Sequence, residues 1–297
     1  MKFINANIYT TNTPLAEAYF RESLPRCQSL RIFFQHEHNL VLSGGRSLDE
    51  AGQVGEVNSI FDPAEKYHVR IVNKDYYYSS DIIMEYNMPN IENIKRARVF
   101  STEIVEGIVY CPSIPFPYDN SGERCLPVIS NFVNEAESRR AWVIEGLRRT
   151  CPGYQNIQGI YDLEGLRNLY SSARIIVNTH QTWHHHSIEE FRILPALACG
   201  CIVISEKVPL MDIIPYGEYI VWCDYGNVLE VAAHVSANYA SYFESIHGPS
   251  SGLKMLLRTM QEEFGSSMDN LLNNRKHFSA ASRLRRRLAG WARKASL

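Results

Sequence analysis

Apolar positions along the chain fall into two series of strand and helix patterns, one on each side of a proline-punctuated stretch. Residues 2–9 read as an opening strand, 14–24 as a helix and 31–35 as a second strand, the βαβ opening from which parallel sheets are built. The Gly-, Ser- and charge-rich text of 40–55 reads as a long loop, in which Gly44 and Gly45 either mark a turn or cradle a phosphate. Short β-rich runs follow at 67–72, 82–86 and 108–111. From Cys111 to Tyr118 three prolines exclude a continuous helix, which suits a linker.

The pattern then restarts. Strands are expected at 127–130, 156–159 and 174–178, with helices at 135–149 and 163–172 between them. This alternation is that of a doubly wound parallel sheet. Pro195, tolerated in a helix's first turn, and Gly200, a helix stop, bracket a further helix opening near 191–194. A buried strand follows at 201–205, then helical stretches at 228–246 and 253–272. The expected division is a small N-terminal Rossmann-like domain (1–118), a ligand-binding domain (119–250) and C-terminal helices (251–297).

Composition narrows the class. With 297 residues, 45% of them hydrophobic, the chain can bury two modest cores. The longest apolar run, 194–204, is too short to cross a bilayer, and the first ten residues lack signal-peptide character, so a cytoplasmic protein is expected. Seven cysteines without a CxxC pair indicate neither a disulfide framework nor a zinc knuckle. A net charge of −2 argues against a general nucleic-acid binder. It conceals a basic tail: 275–297 carries eight Lys and Arg and no acid. There Leu284, Leu288 and Trp291 recur at helical spacing among arginines, so 279–297 reads either as a peripheral membrane contact or as a solvated end.

Candidate chemistry is densest after the strand at 174–178, where ligands collect at the carboxyl ends of parallel strands. The run Thr179-His180-Gln181-Thr182-Trp183-His184-His185-His186-Ser187-Ile188-Glu189-Glu190-Phe191-Arg192 leads directly into a helix whose free N–H groups suit a diphosphate. Consecutive histidines do not converge easily on one ion, and neither HExxH nor a deaminase pattern is present, so no metal site is expected. The acidic pair DxD, which could hold a divalent ion, is also absent.

The succession Gln158-Gly159-Ile160-Tyr161, Leu166-x-x-Leu169-Tyr170-x-x-Ala173, Glu190-Phe191-Arg192 and Ala196-Leu-Ala-Cys-Gly200 resembles the donor-binding half of GT-B glycosyltransferases. It covers about a quarter of the chain well. The resemblance implies two Rossmann-like domains facing a cleft, a nucleotide diphosphate sugar as donor, a glycan acceptor and no metal cofactor. Glu190 would accept from the donor ribose, or else cap a helix. Arg192 would contact the diphosphate, or form a surface salt bridge. Phe191, His186 and Ser187 would line the donor, Gly159 and Tyr161 would flank its base, and at most one of Arg139 and Arg140 would face the phosphates. One or two of His184, His185 and His186 would touch sugar or phosphate. Ser187 and Pro195 stand where retaining enzymes place two glutamates, which leaves stereochemistry open. An inverting enzyme would draw its base from the first domain, where His36 and His38 are the best-placed candidates, with Glu85 behind them. If Glu190 serves only the ligand, Glu190→Ala should leave the unliganded melting temperature nearly unchanged.

Overall fold

A computed structural model describes residues 6–10, 30–36, 38–42, 53–58, 66–71, 74–183 and 186–273. Elements are numbered among these residues. The expected helix at 14–24, the Gly44-Gly45 segment, His184, His185 and the basic tail lie outside them. Among the described residues no helix is long and apolar enough to cross a membrane.

The chain forms two compact units, Met1–Cys111 with Glu263–Leu297, and Pro112–Glu262. The first holds a four-stranded parallel sheet ordered β1-β2-β6-β7, with β1 Ala6–Thr10, β2 Leu30–Gln35, β6 Ile82–Glu85 and β7 Ile108–Tyr110. Side chains alternate across it. Phe33 and Ile83 enter a core with Tyr77, Ile94 and Phe100, whereas Ile32, Ile82 and Val109 form a second cluster that receives Phe264, Met268 and Leu271. That second cluster draws the end of the last helix into this unit and corrects the expectation that 251–297 stands apart. It also places the boundary at Cys111 rather than after Tyr118.

A second difference lies at 40–55. Leu40–Leu42 is a strand (β3), which with β4 Gln53–Asn58 and β5 Lys66–Arg70 makes a three-stranded antiparallel sheet ordered β3-β5-β4. Leu40 and Val41 are buried, and so short an apolar run in polar text leaves too little periodicity to read. Helices α1 Lys74–Ser79, α2 Met88–Ala97 and α3 Thr102–Glu106 join the later strands.

The second unit is a five-stranded parallel sheet ordered β12-β11-β10-β8-β9. Its strands are β8 Leu126–Ser130, β9 Gln155–Asn156, β10 Ala173–Asn178, β11 Ile202–Glu206 and β12 Ile220–Cys223. The central strands are apolar without alternation, with Ile175, Ile176, Val177, Ile202, Val203 and Ile204 all buried, as expected of a sheet covered on both faces. Its helices are α4 Ser138–Thr150, α5 Leu163–Ser172, α6 Glu190–Ala198, α7 Val228–Ala237, α8 Tyr239–His247 and the first part, up to Glu262, of α9 Leu253–Asn273. The expected helix at 228–246 is broken at Asn238, whose side chain instead donates to the His234 carbonyl at 2.9 Å. Pro195 sits inside α6 rather than in its first turn, because the helix already opens at Glu190.

Two polar groups, the half-buried Arg124 and the buried His247, hold this unit together. Arg124 donates to the carbonyls of Ala173 (2.8 Å) and Cys199 (2.9 Å), which end α5 and α6. A cation there offsets the negative ends of both helices. His247 is the second group. The Cys201 carbonyl can only accept, so Nε2 donates to it (2.9 Å), and Nδ1 accepts from the Tyr118 hydroxyl (3.2 Å). Burial, with a contribution from Arg124, pushes its pKa down to about 4. The unfolded chain, with an ordinary histidine pKa near ~6.5, therefore binds the proton first as pH falls. The stabilisation is complete above that pH and is lost as pH falls towards 4. From pH 7 to 5 the loss should be about 2 kcal/mol, read as a shift of the urea midpoint that His247→Gln lacks.

Candidate active site

The carboxyl edge of the second sheet carries the candidate residues in spatial order. At the β9 end, Gly159 takes a positive φ of 80°, and the Tyr161 side chain is 78% exposed. Both lie on the loop to α5, open to solvent as a base-flanking segment requires. Next to it the Asn156 side chain behaves like an extra strand residue. It accepts from Phe132 N–H (2.8 Å) and donates to the Phe132 carbonyl (3.0 Å), which fixes the loop after β8. Its amide nitrogen also donates to Glu135 (2.7 Å), which accepts from Gln158 (2.6 Å) as well. These hydrogen bonds hold the Glu135 carboxyl below its usual range.

That loop delivers two arginines in the first turn of α4, and both are buried. Their surroundings differ. Arg139 pairs with Glu206 at 2.5 Å and donates to the Thr182 carbonyl at 2.8 Å. Its guanidinium carbon lies 4.1 Å from the ring centroids of both Trp183 and Tyr225. Burial raises the Glu206 carboxyl above its usual range although Arg139 pulls it down. Arg140 donates to the Val133 carbonyl and lies over the Phe132 ring; among the described residues no carboxylate forms a salt bridge with it, although the charges of Glu189 and Glu137 act on it, and its buried Nε has no hydrogen-bond partner. Burial first, then the charge of Arg192, pushes its pKa down to about 10.

Arg192 stands in the first turn of α6. It donates to Asn178 Oδ1 at 2.8 Å, and Asn178, the last residue of β10, donates in turn to Ser205 Oγ at 3.1 Å. Among the described residues no acid forms a salt bridge with Arg192 either. The helix has no side-chain cap at its N-terminus, so its positive end adds to the two guanidinium groups. The Thr179 hydroxyl and the Asn131 side-chain oxygen, on the loops after β10 and β8, are buried without hydrogen-bond partners. The arrangement is competent to hold an anion with several oxygens.

Glu190 is 1% exposed. It accepts from the Tyr216 hydroxyl (2.9 Å) and from the Ser113 backbone N–H (3.2 Å). This corrects the expectation for its alanine variant. Glu190→Ala should cost about 2 kcal/mol, because a buried hydroxyl and a buried N–H lose their acceptor. Thermal melting of the unliganded protein checks this. Phe191 is 43% exposed beside it, whereas Ser187 is buried. His186 bonds the Trp183 carbonyl at 2.9 Å and stacks on His180 at 5.7 Å. Among the described residues no three His, Cys, Asp or Glu side chains are grouped to hold a metal ion.

In the first unit, Gln35 is in register with Glu85, so His36 and Glu85 share one end of that sheet. Glu85 is fully buried, and its Oε1 accepts from Tyr86 N–H (3.0 Å) and Asn90 Nδ2 (2.9 Å), tying the strand to the start of α2. His36 is partly exposed and stacks on Phe34. The His38 carbonyl accepts both Nε (3.1 Å) and Nη2 (2.9 Å) of Arg70. Asn178, Asn156, Glu206 and Tyr216 escaped sequence reading, since each acts through a partner on another element, at least 14 residues away. Only Asn178 left a signal, as the polar residue that ends an apolar strand.

No protein-family model and no curated protein matches the sequence. Solved structures do. A point mutant of S. aureus TarM, in complex with fondaparinux, α-GlcNAc-glycerol and UDP, superposes with a TM-score of 0.56 at 8% identity, over 90% of this chain and 55% of its own. Anabaena Alr3699/HepE, in complex with UDP and glucose, gives 0.51 at 8% identity, over 89% and 78%. The present chain thus spans little more than half the length of TarM. Taken with the parallel sheets and covering helices of both units, the likeness shows that the chain has the GT-B glycosyltransferase fold.

Proposed function

We propose that the chain transfers a sugar from a nucleoside diphosphate sugar to a glycan acceptor. The observation that carries this reading is Arg140, a buried cation with no salt bridge among the described residues, whose charge is felt by Arg192 in the first turn of α6. Two guanidinium groups and a helix end supply the positive charge that a leaving diphosphate needs, so the reaction requires no metal ion. Gly159 and Tyr161 flank the base, and Phe191 and His186 border the sugar. The UDP present in both neighbouring structures supports a nucleotide of this kind. Of the candidates for a base in an inverting reaction, His36 is favoured over Glu85, because it is partly exposed at a strand end while Glu85 is enclosed.

A thermal-shift screen of UDP-, GDP-, ADP- and TDP-sugars tests the donor. A ligand at about 100 times its dissociation constant should add about 2.7 kcal/mol of stability, and the same donor should turn over in the presence of a chelator. A screen in which no nucleotide sugar shifts the melting temperature overturns the reading. Binding without hydrolysis or transfer on any acceptor would instead make the chain a silent nucleotide-sugar binder.

A further inference from the structure

The aromatic cluster around Arg139 has no part in holding a diphosphate. Trp183 is 57% exposed and Trp142, on α4, is 39% exposed. Tyr225 lies between them, with ring centroids 5.0 Å from each. Large indoles left in water are costly unless something covers them, and their placement here is not loose. Arg139 stacks on Trp183 and Tyr225, is tied by Glu206 and the Thr182 carbonyl, and the Tyr225 hydroxyl donates to the Arg139 carbonyl at 3.0 Å. The guanidinium covers one face of the Trp183 ring, so its exposure belongs to the opposite face and the edges.

Charge decides what such a platform takes. The cations that touch or flank the rings are matched by acids, Arg139 by Glu206 at 2.5 Å and Lys207 by Asp224 at 3.2 Å, whereas neighbouring Arg140 lies over Phe132 instead. Single-stranded nucleic acid needs unmatched positive charge along its phosphates, and a stable protein interface needs far more apolar area than three rings provide. A neutral ligand with flat apolar faces and a hydroxyl rim meets both conditions: pyranose C–H faces lie on the indoles, and the half-exposed Lys207 and Asp224 are available to hydroxyl groups. Tyr225 stands edge-on to Trp183, at 71°, and is tilted by 39° from Trp142, so the two indoles offer separate faces that different pyranose rings of one chain can each cover. Because the rings are already fixed, binding costs little ordering.

We propose that Trp183, Tyr225 and Trp142 form a stacking platform for a neutral oligosaccharide, so that the acceptor is a chain of uncharged pyranoses. Its role as acceptor subsite rests on the transferase reading; the binding itself does not. Calorimetric titration of the full-length protein with maltohexaose, cellohexaose and chitohexaose tests it, with an oligouridylate and UDP as controls. At least one oligosaccharide should bind. Trp183→Ala should weaken it by about tenfold or more, Trp142→Ala should weaken it less, and Trp183→Phe should stay within about threefold. UDP affinity should be unchanged in all three variants, and their melting temperatures should stay near that of the wild type. The proposal is overturned if none of the oligosaccharides binds, if Trp183→Ala binds as well as wild type, or if only the oligouridylate depends on Trp183. Oligosaccharide binding at Trp183 with no affinity for any nucleoside diphosphate would sink the transferase reading and leave the platform standing.

Discussion

Arg140→Met is expected to weaken binding of the nucleotide donor by roughly thirtyfold, equivalent to about 2 kcal/mol for a charged hydrogen bond, while leaving the unliganded protein as stable as before or more so. The two effects have one cause. A buried cation with no salt bridge among the described residues is held against its desolvation penalty, and its pKa is already pushed down to about 10 by burial and by Arg192. Methionine fills similar volume without that cost. A residue that stabilised the fold would show the opposite: a lower melting temperature with donor affinity intact. Arg192→Met should lose a comparable factor, and the double variant should bind no measurable donor. Isothermal titration beside urea denaturation of each ligand-free variant separates the outcomes. Arg139→Met should differ from both: it leaves Glu206 buried and unpaired, so stability falls first.

Arg124→Met should cost about 3 kcal/mol of unfolding free energy, the largest loss expected from a residue outside the candidate site. It removes hydrogen bonds to two helix-ending carbonyls and a further one, at 3.3 Å, to Asn120. Lysine should not restore them, because one ammonium cannot reproduce a planar fork. Gly200 reports on the same contact. It takes a φ of 80°, and a Cβ there would overlap the Arg124 guanidinium and lie 2.9 Å from Asn120 Cα. Gly200→Ala should therefore be severe alone and milder in the Arg124→Met background, a coupling that urea midpoints of the four proteins resolve.

Legibility in the sequence followed the range of the forces involved. The second unit was readable because its strands are continuous apolar runs and α5 is an amphipathic helix capped by Asp162, so local text carries the whole signal. Helix α6 was placed almost correctly from Gly200, but Pro195 misled its start, since a proline without its N–H is tolerated inside this short helix. The antiparallel sheet was lost because β3 is three residues long. In the candidate site, Arg192 and Arg140 could be named as candidates through the resemblance to GT-B glycosyltransferases. Which of the paired arginines stays unneutralised could not, because that depends on Glu206, which lies on another strand. Glu190 was singled out as a ligand contact, and its buried hydrogen bonds to Tyr216 and Ser113 emerged only from tertiary structure.

The Asn156 clamp has a practical consequence for redesign. Because the amide grips the backbone of Phe132 and not its side chain, the path of the loop that follows is set from outside the loop. Asn134 holds a left-handed φ of 60° and is best kept, but Val133 and Ala136 are exposed and take no part in that grip. A combinatorial library at those positions should keep the path of the loop while varying the chemistry beside Arg140, which makes this segment the natural place to evolve an altered donor preference.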